Sequence, residues 1–129
     1  MCLYCFERGS HVDGIIDIRY YLIVIVDFAD DEAKKVFEGI RSRKLPPEIQ
    51  VNASRRLGYV HSAHLISDLR QPASNRLERL EGNRNGQWSI RINDQWRICF
   101  NWVERQPIPD SNVPQPGDAY NVEITNHYN

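Results

Sequence analysis

The chain has 129 residues, enough for one domain with a modest core, and its 41% hydrophobic and 26% charged residues are ordinary for a globular protein. Three cysteines do not make a disulfide framework, and the longest apolar run, Tyr20–Val26, is far short of the ~20 residues of a membrane helix. The net charge of -1 conceals a partition: residues 1–38 sum to -4, residues 39–105 to +6 and residues 106–129 to -3. A basic middle suits a polyanion. Thirteen of the sixteen basic residues are Arg, whose planar fork grips phosphate bidentately.

Residues 1–19 show no clear periodicity, and no signal-peptide pattern follows Met1. Cys2 and Cys5 form a C-x-x-C, and His61 and His64 an H-x-x-H. The four would suit zinc, but the pairs are 56 residues apart, and an incidental Cys pair and a surface His pair are the favoured reading. Tyr20–Phe28 is continuously apolar and β-branched and predicts a buried strand. Asp30 or Asp31 can cap a helix whose stripe is Ala29, Ala33, Val36, Phe37 and Ile40, with Gly39 at its end. The RSRK at 41–44 is a basic loop. Pro46-Pro47 opens a second helix that buries Ile49, Ala53, Leu57 and Val60, and a short helical segment covers His64–Arg70.

Gln71–Asn75 is a turn, and Arg76–Glu81, with Leu77 and Leu80 three apart, fits either a helical turn or a short strand. Gln87–Trp102 then alternates in two blocks. Trp88, Ile90 and Ile92, then Trp96, Ile98, Phe100 and Trp102, take the apolar side; Ser89, Arg91, Arg97, Cys99 and Asn101 take the polar side. This is an antiparallel hairpin. Matching apolar faces requires partners of equal parity, so the loop is Asn93-Asp94-Gln95, with Ile92 opposite Trp96 and Arg91 opposite Arg97. Facing arginines repel; either an anion or a nearby carboxylate sits between them, or both point into water and the pair costs little. Four prolines make residues 104–118 a loop. A last strand, Ala119–Thr125, alternates Tyr120, Val122 and Ile124 against Asn121, Glu123 and Thr125; continued, it puts His127 on the polar face.

Leu69-Arg70, then SNRLERLEGNRNGQWSIRINDQWRICFNW, then DAYNVEI closely resemble the HigB toxins of the RelE/ParE superfamily of toxin–antitoxin systems. The likeness covers roughly residues 25–129 and is tightest at 75–102. It implies a small α+β RelE-like domain, an antiparallel sheet packed against two to three helices. It implies a ribosome-dependent mRNA endonuclease in the cytoplasm and, for plasmid-borne members, plasmid maintenance. The implied partners are mRNA, the ribosome and a HigA-like helix-turn-helix antitoxin, through which alone the toxin meets operator DNA; no membrane and no cofactor enter. Relatives begin near Val24–Val26, so residues 1–23 read as an extension and 24–129 as the toxin domain; a shorter product would start at an alternative codon such as Leu22, Val24 or Ile25. Relatives also often end Asp-Tyr-His where this chain has Asn126-His127-Tyr128, and some carry a His at Glu78.

Such toxins cut RNA without metal, the 2′-hydroxyl attacking the adjacent phosphate. Arg97 is the expected stabiliser of the phosphorane, its alternative role being an ion pair with Asp94 or Glu81. Arg91 is the expected second clamp. His127 suits proton transfer near neutral pH; Tyr128 could donate a proton or stack a base, and Glu78 could act as base if burial raises its pKa, its alternative role being a structural ion pair with Arg76 or Arg79. Arg70, Arg76, Arg79 and Arg84 are the expected contacts to the RNA backbone. Two other readings remain: a ParE-like inhibitor of DNA gyrase, and a degenerate toxin that acts only as an antitoxin-binding co-repressor.

Overall fold

The computed structural model describes residues 24–105 and 115–126. Residues 1–23 with Cys2 and Cys5, most of the Pro-rich loop, and His127 and Tyr128 lie outside the described residues.

Helix α1, Asp31–Phe37, starts where the Asp30 carboxylate accepts from the amides of Glu32 and Ala33, both at 3.1 Å. It stops before Gly39, whose φ of +83° a side chain would resist. Ala33 and Val36 are buried, but Ile40 is exposed. The predicted stripe overshoots at both ends, since Ala29, before the Asp30 cap, is exposed as well, and helical periodicity holds only inside the helix. Helix α2, Pro47–Ser62, buries Ile49, Ala53, Leu57 and Val60 as expected. The basic loop between the helices is tied to both. Buried Ser42 donates through Oγ to the Glu32 carboxylate, and the Gln50 side chain bridges the Ser42 amide and the carbonyls of Ser42 and Leu45. Two 3₁₀ turns follow, Ile66–Arg70 and Ala73–Asn75.

The sheet has four antiparallel strands in the order β1 (Glu78–Arg79), β2 (Gln87–Arg91), β3 (Arg97–Glu104) and β4 (Gly117–Thr125). The hairpin has the predicted register: Ile90 faces Ile98, Arg91 faces Arg97, and the Ile92 amide bonds the Trp96 carbonyl at 2.9 Å. The ambiguity at Arg76–Glu81 resolves toward a short strand, the two residues of β1, and its parity puts Leu77 and Leu80 on opposite sides. Both helices pack on one face of the sheet, over Ile90, Ile98, Phe100, Ala119 and Val122. Trp88, Trp96 and Trp102 are half-buried against that core.

Two strand expectations are corrected. The described part of Tyr20–Phe28 is no regular strand; it lies parallel to the outer edge of β4, touching it at two isolated bridges, Ile25 to Ala119 and Phe28 to Val122. Inside β4, Asn121 has a left-handed φ of +55°. Cys99 pairs with Glu123 but Asn101 pairs with Tyr120, so β4 holds one extra residue there. That bulge reverses the alternation: Tyr120 leaves the side of Val122 and Ile124 and joins the side of Arg97, Cys99 and Asn101.

His61 ties the edge segment to α1. Its Nδ1 accepts from the Ile25 amide at 3.3 Å, and its ring meets Phe37 edge-on at 5.1 Å. Burial holds its pKa below the ordinary 6.5, so the folded chain binds fewer protons here than the unfolded chain. This contribution to stability is complete above the unfolded value and is lost as pH falls through it toward the folded one. The urea midpoint is expected to drop between pH 7 and pH 5, and His61→Gln to weaken that dependence. An equal slope in the variant would refute the assignment.

Candidate active site

Period-two alternation predicts a polar sheet face away from the helices. It is polar but largely covered: Ser89, Arg97 and Cys99 are buried. Leu80 is buried too, and strand parity puts it with Glu78, Ser89 and Cys99 on this face.

Arg97 opens β3 with its side chain 10% exposed. Its Nε donates to Ser89 Oγ at 2.9 Å and its Nη2 to the Arg76 carbonyl at 3.0 Å. The same Nη2 lies 3.3 Å from a Glu78 carboxylate oxygen, so its ion-pair partner is Glu78, not Asp94 or Glu81. Such a guanidinium is aimed before any ligand arrives. The aim is set far away in sequence. Arg76 has φ +47° at the end of the Ala73–Asn75 turn, which turns its carbonyl toward Arg97. Buried Asn75 holds that turn, donating to the carbonyls of Leu69 and Gln71 and accepting from Arg56 of α2.

Arg91 faces Arg97 across the hairpin and pairs with Asp94. The two facing cations are thus each offset by a carboxylate, Glu78 for one and Asp94 for the other. Asp94 is 91% exposed, and an ion pair in water is worth little. Arg91 can exchange it for a phosphate oxygen. Glu78 is also exposed, so a carboxylate sits at the rim of a buried arginine.

The remaining arginines are not brought together. Arg70 and Arg76 are exposed. Arg79 pairs with Trp88 on the helix side of the sheet and lies over its ring at 5.5 Å. Arg84 turns inward, bonding Glu123 at 2.9 Å and Gln87 at 3.0 Å, and the Glu123 bond holds its pKa above the ordinary value. Beneath it, burial pushes the Cys99 thiol up to about 11, which leaves it protonated and unreactive. Among the described residues no three His, Cys, Asp or Glu side chains converge as metal ligands, and His61 is occupied by Ile25 and Phe37.

A profile of the HigB-like toxin family, described as the RelE-like toxin of the type II toxin–antitoxin system HigB, matches residues 26–112. The chain belongs to that family. Toxin HigB-1 of Vibrio cholerae serotype O1 is 40% identical over 80 residues, 61% of this chain and 84% of its own. An uncharacterized protein of Haemophilus influenzae is 33% identical over 80 residues, 61% of this chain and 79% of its own. The protein is therefore a HigB-like toxin of a type II toxin–antitoxin system, with the expected α+β RelE-like fold, and such a system supplies an antitoxin partner. Among the described residues no helix is long and apolar enough to cross a membrane.

Sequence reasoning overlooked Ser89, which holds the Arg97 Nε, and placed Tyr120 on the wrong side. One signal pointed to the second: Asn121 is a poor strand former that tolerates the left-handed region, set inside an otherwise alternating run.

Proposed function

We propose that this HigB-like toxin is a ribosome-dependent endoribonuclease that cleaves mRNA by attack of a 2′-hydroxyl on the adjacent phosphate. The observation that carries the reading is Arg97: a nearly buried guanidinium held by Ser89 and the Arg76 carbonyl, beside Arg91 and against Glu78. Two cations on one rung of a sheet suit the crowded, doubly charged phosphorane. Arg97 bears its developing charge, and Arg91 leaves Asp94 to hold a second oxygen.

Glu78, displaced from Arg97 by the phosphate, takes the 2′-hydroxyl proton. The attacking oxygen bonds to phosphorus, and the bond from phosphorus to the 5′-oxygen breaks. That oxygen needs a proton. His127 and Tyr128 are the candidates, since they follow Thr125, which pairs with Arg97. Arg70 and Arg76, both exposed, would meet the RNA backbone or ribosomal RNA; Arg79 and Arg84 serve at most after leaving Trp88 and Glu123. The scheme needs no cofactor. The antitoxin is a HigA-like helix-turn-helix protein that carries the pair to operator DNA, and the toxin acts in the cytoplasm, where its ribosomal target lies.

The test is a reporter mRNA in a reconstituted translation system, with the ends mapped. The mechanism leaves a 2′,3′-cyclic phosphate on one side of each cut and a 5′-hydroxyl on the other. Cuts inside the reading frame with 5′-hydroxyl ends are expected only with ribosomes present. Folded protein that makes no cuts, or leaves 5′-phosphates, would refute the mechanism.

A further inference from the structure

The polar sheet face continues past Arg97 to a rung that the cleavage chemistry does not use: Gln87, Asn101 and Tyr120 side by side on β2, β3 and β4. We propose that this rung is a base-binding subsite, which stacks and reads the base of a nucleotide flanking the scissile phosphate; the inference rests on the nuclease reading above.

Three observations carry it. First, Tyr120 is on this face only because of the bulge at Asn121. The bulge is pinned from outside the sheet: the Asn121 amide donates to the Asp27 carboxylate at 2.6 Å, and the Val122 amide to the Asp27 carbonyl at 3.2 Å. Without the extra residue Tyr120 would share the side of Val122 in the core. Second, the Asn101 amide is oriented. Its Oδ1 accepts from Gln87 Nε2 at 3.4 Å and from Asn121 Nδ2 at 3.2 Å, while its own NH₂, like the Tyr120 hydroxyl, bonds no side chain or carbonyl among the described residues. A positioned amide beside an aromatic ring matches the edge and face of a nucleobase. Val103, on the same face one rung further, is 53% exposed and extends the apolar shelf. Third, the charges divide the face. Arg84 keeps a part-buried pair with Glu123 at this end, while Arg91 and Arg97 at the other end hold the exposed carboxylates of Asp94 and Glu78, which a phosphate can displace. Four residues of strand separate Arg97 from Asn101, about 13 Å. That is too far for the base at the attacking oxygen to reach, and right for a neighbour.

The experiment maps cut sites on a reporter mRNA of mixed sequence for wild type, Tyr120→Phe, Tyr120→Leu and Asn101→Ala, and scores base preference around each cut. Wild type is expected to prefer one base at a flanking position. Tyr120→Phe keeps the ring and should keep that preference. Tyr120→Leu should cut more slowly and flatten the preference by about fivefold or more. Asn101→Ala should change which base is preferred, and it decides the matter if Tyr120→Leu does not fold. Variants that cut with the wild-type profile would overturn the subsite and leave the nuclease standing, including variants that only weaken antitoxin binding. A folded wild type that makes no cuts would overturn both.

Discussion

Arg97→Ala is expected to lower the rate of mRNA cutting by about 10²- to 10³-fold, the usual cost of removing one aimed donor from a developing negative charge. Arg97 is not a free surface cation that a neighbouring arginine can replace. Its Nε is bound to Ser89 and its Nη2 to the Arg76 carbonyl and Glu78, so the truncation also strands partners. Leaving a buried hydroxyl and a carbonyl unsatisfied costs about 1–3 kcal/mol, so the variant should melt earlier as well. Arg97→Lys separates the two effects. An ammonium restores the charge but cannot reach Ser89 and Arg76 together from one planar fork. It should recover part of the stability and less than a tenth of the activity. The check is a cleavage time course beside a urea titration of each variant. Near wild-type cutting by folded Arg97→Ala would remove Arg97 from the chemistry, and gyrase inhibition and antitoxin-dependent repression would then be the activities to measure.

Gly117→Ala is expected to destabilise the fold by about 1–3 kcal/mol, the cost of overfilling a packed site. Gly117 begins β4 opposite Glu104, and its backbone lies directly under the Trp102 indole. A Cβ there would stand 2.3 Å from Trp102 Nε1 and 2.5 Å from Cε2. The indole would have to leave its place beside Phe100, whose ring it meets at 6.4 Å and 70°. The Gly117 amide also bonds the His64 carbonyl at 3.1 Å, joining β4 to the segment that follows α2. Trp102→Leu should itself be costly, but the double variant should be more stable than the two losses summed, because each relieves the other. Additive losses, or an unchanged urea midpoint for Gly117→Ala, would show that the indole moves aside freely.

The parts of the fold legible in the sequence are those whose cause is local. The α2 face was readable because Ile49, Ala53, Leu57 and Val60 recur at helical spacing. The hairpin register is legible because parity excludes a two-residue loop and fits the three residues Asn93-Asp94-Gln95, and Arg91 does face Arg97. Ile40 was misplaced because a period says nothing about where it stops. Tyr20–Phe28 reads as a strand because an apolar, β-branched run signals burial. Val24 and Ile25 are indeed buried, but ladder pairing depends on the neighbour, and the described part of that segment meets β4 at two isolated bridges.

The sequence by itself determined the α+β class, the Arg-rich middle, the facing pair Arg91 and Arg97, and membership in a toxin family, because each is written in composition, period two or contiguous motif. Only the tertiary structure decided what those groups do to one another. Glu78 reaches Arg97 because β1 pairs with β2. Arg84 is turned from solvent to Glu123 across 39 residues. The Arg76 carbonyl is aimed by Asn75 and Arg56. Tyr120 changes sides because one extra residue is pinned by Asp27, 94 residues before Asn121. Each of these depends on a partner distant in the chain. No local pattern encodes such a contact, because its energy exists only once the two segments have been brought together.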